Sequence, residues 1–98
     1  MLGALLAVCA LGSEPVVAQQ MLTVPIQNMS YGAVQLTVFD HVCNRVVYQR
    51  RLANSATTSV RVCADRRGRG QITIYDYRGR GRRYRDVISS RTISVRVR

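Results

Sequence analysis

Apolar and polar residues alternate with a period of two over most of this chain. Leu22, Val24 and Ile26 interleave with Thr23, Pro25 and Gln27, the pattern of a strand that buries one face. Pro25 has no amide hydrogen to give a ladder, which places this first strand at a sheet edge. A turn-like stretch at 28–32 leads into 33–40, where Val34, Leu36 and Val38 share one face and Gln35, Thr37 and Phe39 the other. After a connection at 41–44, residues 45–52 form a third strand rich in β-branched and aromatic side chains.

A polar link at 53–56 precedes a fourth strand, in which Val60 and Val62 alternate with Ser59, Arg61 and Cys63. The Arg-Gly stretch 66–70 is the next turn, 71–77 a fifth strand with Ile72 and Ile74 inward, and 78–81 another Arg-Gly turn into a sixth strand at 83–88. The last strand, 92–97, buries Ile93, Val95 and Val97 and leaves Ser94 and Arg96 out. Seven short strands with turn signals roughly every 8–12 residues and no helical period predict a small antiparallel β-sandwich, immunoglobulin-like or transthyretin-like. The motifs of antibody domains are missing: there is no Trp, and the cysteines lie too close together for an inter-sheet bridge of that type.

Residues 1–12 break the alternation, being continuously apolar and uncharged. The run has the length of a signal-peptide core and is shorter than the roughly 20 residues needed to span a bilayer. Ser13, Glu14 and Pro15 end it, and Val16 and Ala18 supply small residues for cleavage before Gln19. The chain thus divides into a signal peptide at 1–18 and one domain at 19–98, exported to the periplasm or secreted. No Arg or Lys precedes position 45, which leaves open whether Met1 is the true start.

Export removes Cys9 and turns three cysteines into a pair, Cys43 and Cys63. An even pair in an oxidising compartment reads as a disulfide, tying the loop after the second strand to the end of the fourth. Two Cys and one His do not make a structural zinc site. No metal or cofactor is expected.

Charge adds the next constraint. All fifteen basic residues are Arg, and with Glu14 gone only four acidic residues remain, a net charge of +11. Such a field favours anionic partners. Eight of the arginines, Arg66, Arg67, Arg69, Arg78, Arg80, Arg82, Arg83 and Arg85, crowd the two turns and the strand after them. Guanidinium forks bond phosphate, sulfate or carboxylate in pairs, and neighbouring Gly lets backbone amides approach the anion. Charged turns also keep small β domains soluble and guard their edges.

Tyr75 and Tyr77 fall on the strand face opposite Ile72 and Ile74, and a four-residue turn at 78–81 would set Tyr84 across from Tyr75. That predicts a three-tyrosine platform edged by arginine, suited to stacking on rings while the cations hold acidic groups. A register change of one residue would dissolve it. Asn28, Met29 and Ser30 fit a glycosylation sequon, relevant only in a eukaryotic secretory path.

Candidate catalytic groups are sparse. His41, the single histidine, stands beside Asp40 in a loop and reads as solvated. Ser30 and Ser55 lack the context of an activated nucleophile. Asp40, Asp65, Asp76 and Asp86 do not have a calcium-loop spacing and read as ion-pair partners or turn residues. The sequence therefore points to a non-enzymatic exported binding domain with an anionic partner such as acidic polysaccharide, lipopolysaccharide or an acidic protein. Binding to nucleic acid would be nonspecific. The alternative is an assembly module that uses a sheet edge or the tyrosine face for protein contact, with an oligomeric state the sequence does not fix.

Overall fold

Seven strands form where the alternation predicts them: β1 Met21–Asn28, β2 Val34–Asp40, β3 Arg45–Leu52, β4 Thr57–Cys63, β5 Gly70–Tyr75, β6 Gly81–Val87 and β7 Ile93–Val95. The structure is a computed structural model and describes residues 20–97. The signal read at 1–18, its cleavage position and Cys9 lie outside the described residues. β5 stops two residues early and β6 begins two residues early relative to the sequence reading, and β7 is only three residues long.

The strands make two sheets, β4-β1-β7 and β3-β2-β5-β6. Every pairing is antiparallel except β1 with β7, which is parallel. β1 is therefore a middle strand, which corrects the edge position expected from Pro25. The proline is tolerated because β7 pairs only with Ile26, Gln27 and Asn28. At Pro25, opposite Ser59 of β4, no strand among the described residues lies on the other side to want its missing N–H.

The inner faces of the two sheets meet in one core. Val24 and Ile26 of β1 and Val60 and Val62 of β4 face Val34, Leu36 and Val38 of β2 and Ile72 and Ile74 of β5, all buried. Ile93, Val95 and Val97, expected inside, are half-buried and pack on the rim of this core. No helix among the described residues is long and apolar enough to cross a membrane.

Four polar residues are buried with the core: Asn28, Ser30, Asp40 and Thr73. The Asn28 amide nitrogen lies 2.9, 3.0 and 3.1 Å from the carbonyls of Gly32, Leu52 and Ala53, and its Oδ1 accepts from the Ser30 amide at 2.8 Å. Asn28 thus bonds the β1–β2 turn to the end of β3. Fully buried, it is no acceptor for a glycan in the folded protein. The Ser30 hydroxyl accepts from the Val97 amide at 2.7 Å and fastens the end of the described chain.

Cys43 and Cys63 form the expected disulfide, with Cα atoms 5.9 Å apart and 20 residues between them in sequence. Under it lies Asp40. One carboxylate oxygen accepts the amides of Val42 and Cys43 at 2.9 and 3.1 Å, and the other accepts that of Cys63 at 2.7 Å. The side chain expected to pair with an arginine or sit in a turn instead holds the backbone of both half-cystines from inside the protein. Three N–H donors satisfy a buried carboxylate without a counter-ion.

Candidate functional site

The two Arg-Gly turns are copies of one structure. The sequence Asp-x-Arg-Gly-Arg-Gly occurs at 65–70 and again at 76–81, eleven residues on. In the first copy Asp65 Oδ1 accepts the amides of Arg67 and Arg69 at 2.8 and 3.0 Å, and in the second Asp76 Oδ1 accepts those of Arg78 and Arg80 at the same distances. The third position after each Asp is a glycine at positive φ, +80° at Gly68 and +79° at Gly79, the requirement of a three-residue turn that closes with a bulge. The repeat was legible in the sequence as a period of eleven, and reading for strands alone passes over it.

This turn chemistry decides the tyrosine register. Because Asp76 captures the amides of Arg78 and Arg80, the turn is closed by the pair Asp76 and Arg80, before Tyr77 can join the strand. Tyr75 then pairs with Gly81, and Tyr84 pairs with Ile72. The offset from the expected register is three residues, an odd number, so Tyr84 turns to the inner face. The three-tyrosine platform does not form. Tyr84 is half-buried against the core, Tyr75 lies over Gly81, where an added Cβ would sit 2.6 Å from the ring, and Tyr77 stands 60% exposed in the turn. Arg78 packs on Tyr77, its Nε 2.9 Å from the phenol oxygen and its guanidinium 5.2 Å from the ring centre.

The eight candidate arginines do not share one face. Arg66, Arg67 and Arg69 belong to the turn before β5, and Arg78 and Arg80 to the turn after it, so a strand about 20 Å long separates the two groups. On β6, Arg82 lies opposite Ile74 on the inner side, whereas Arg83 lies opposite Thr73 on the outer side, and Arg85 follows Arg83 in the alternation. Arg67 folds back on Asp86 at 2.7 Å. It is the one arginine in an ion pair among the described residues.

What the fold does assemble is a groove along one flank, between the edge strands β6 and β7. One part, about 390 Å³, has the core residues Leu36 and Ile74 in its lining together with Tyr84, Val95 and Val97, and carries Arg80, Arg82 and Arg96. Its neighbour, about 530 Å³, shares Tyr84 and carries Arg69, Arg85 and Arg91. Arg82 stacks 5.5 Å from the Tyr84 ring centre. The two acids in the linings are already engaged, Asp76 by turn amides and Asp86 by Arg67. Six arginines thus contribute to the lining of a partly apolar cleft, Arg85 from the outer face of β6, and none has a carboxylate partner among the described residues.

The chain matches no known family profile, no curated protein and no solved structure.

Elsewhere the polar groups are engaged structurally. His41, expected in solvent, is half-buried: its Nε2 lies 2.6 Å from the Thr73 hydroxyl and its ring meets Phe39 edge-on at 5.0 Å. The cluster of Asp40, Cys43 and Cys63 has its sulfurs in the disulfide and its carboxylate on three amides, which leaves no thiolate to ligate an ion. Asp65 is held below its ordinary carboxylate pKa of 3.8, first by the Arg69 amide, which outweighs an opposing desolvation, and then by Gln71 and by the amide and charge of Arg67.

Proposed function

We propose that this is an exported, non-enzymatic binding domain that holds an anionic partner at the cell envelope or outside the cell, along the β6/β7 flank. The observation that carries the reading is the groove itself: six arginines without carboxylate partners among the described residues, around a cleft with core side chains in its lining. Guanidiniums beside an apolar floor attract an anion and give its uncharged parts a surface to cover. The disulfide supports an oxidising location. The non-enzymatic part rests on His41, which meets a hydroxyl and an aromatic ring rather than an acid that would orient it as a base.

The test compares two triple variants of equal charge. Replacing Arg80, Arg82 and Arg96 by Gln should weaken binding to a polyphosphate and to an acidic polysaccharide at physiological salt at least tenfold more than replacing Arg45, Arg50 and Arg51 on β3. Equal losses from both variants, vanishing together as salt rises, would reduce the groove to a share of the overall field and end the proposal.

A further inference from the structure

We propose that the outer edge of β6, with the groove beside it, takes up an extended segment of an acidic partner protein as an added strand. The inference rests on the anion-binding reading of this flank, extends it to Arg83 and Arg85 on the outer face of β6, and names the partner's chemistry. β6 ends its sheet and β7 ends the other, and the space between them is lined by the half-buried Tyr84, Val95 and Val97, with the buried Leu36 and Ile74 at its base. A strand laid along β6 would complete a ladder and place alternate side chains over that floor.

The side chains of β6 specify what such a strand carries. Arg83 and Arg85 point to the outer face, while Arg82 and Tyr84 point inward at the groove. The matching segment therefore alternates acidic residues outward with apolar residues inward. Pairing of β6 with the β6 of a second copy would set Arg against Arg, a like-charge cross-strand contact that discourages self-association. The same arginines thus reject a copy of this chain and select an acidic strand. An acidic polysaccharide offers no amide ladder, so it gains nothing from an open strand edge. The bulge at Asp86, with φ of +56°, ends the regular ladder and limits the docked stretch to the residues beside 81–85.

The experiment titrates the disulfide-bonded protein with a labelled octapeptide alternating Val and Glu, with the same peptide N-methylated at alternate amides, with an alternating Val and Lys peptide, and with polyphosphate. Amide exchange along β6 is followed in parallel. The expected result is binding of the Val-Glu peptide at physiological salt, at least tenfold weaker binding after N-methylation and with Lys, and slowed exchange at 81–85 only when the Val-Glu peptide is present. Equal binding of the methylated and unmethylated peptides would overturn strand addition and leave the anion reading standing. Binding of polyphosphate but of no peptide would do the same, and binding of neither would remove both. Slowed β6 exchange that rises with protein concentration alone would give the edge to a second copy and overturn the proposal.

Discussion

The two flanks of the sandwich are built on opposite terms. On one, the edge strands β3 and β4 come together beside the Cys43–Cys63 disulfide, with Asp40 bonded to the backbone of both cysteines. The shallow grooves there are lined by edge residues such as Val46, Val47 and Arg61 and reach no fully buried side chain. On the other flank, β6 and β7 are joined only by the chain at 88–92, with no cross-link among the described residues, and the cleft between them reaches Leu36 and Ile74. The first flank carries the disulfide and the buried carboxylate, and the second is the open one to which we assign the proposed binding. Small domains have little stability to spare, so closing one flank covalently is what makes an incomplete second flank tolerable.

The contrast is broken most severely at Asp40. Asp40→Ala should lower unfolding free energy by about 4 kcal/mol, since it strands one buried and two part-buried amide donors, and urea unfolding measures it. Reduction of the disulfide comes next, at about 3 kcal/mol by the loop-entropy argument, or a fall of more than about 10 °C in melting temperature for a domain of this size. An unchanged melt would contradict the closed flank as the anchor of the fold. Tyr84→Ala on the open flank removes a half-buried ring and should cost about 1–2 kcal/mol, less than either. The Gln triple variant at Arg80, Arg82 and Arg96 sharpens the comparison from the other side, with stability within about 0.5 kcal/mol of the parent and binding much reduced. Asp65 has the smallest effect. Its carboxyl titrates below its ordinary value of 3.8, so its contribution is complete above that pH and is lost as pH falls below 3.8 through the lowered value. Asp65→Asn should lower stability slightly at neutral pH, leave it nearly unchanged below the lowered value, and so flatten the acid side of the stability profile.

The strands were legible because each has one buried face, and alternation reports that directly at Val34, Leu36 and Val38 or at Ile72 and Ile74. The disulfide was legible from the pair of cysteines, Cys43 and Cys63, left once residues 1–18 are read as a signal. Register across a turn was not, because it depends on where the ladder stops, and there a side chain decided: Asp76 closed the turn before Tyr77 and moved Tyr84 to the other face. Buried polar residues were the second blind spot. Asp40 and Asn28 look like surface residues in a sequence, and their burial follows from backbone amides and carbonyls that only the folded chain brings to them. The groove was the third, since β6 and β7 become neighbours across the sandwich through sheet order, which short-range patterning does not encode.

The Cys43–Cys63 ring encloses both β3 and β4, and this gives the molecule an uneven response to proteases. A single cut in the link at 53–56 leaves both pieces in one covalent body, with every strand still attached. A single cut in the turn at 77–79 leaves β6 and β7 held by packing and hydrogen bonds alone, so the segment that forms both walls of the groove can be shed. In a protease-rich surrounding the domain would lose its grooved flank before its frame, and the remnant would keep the intact disulfide loop.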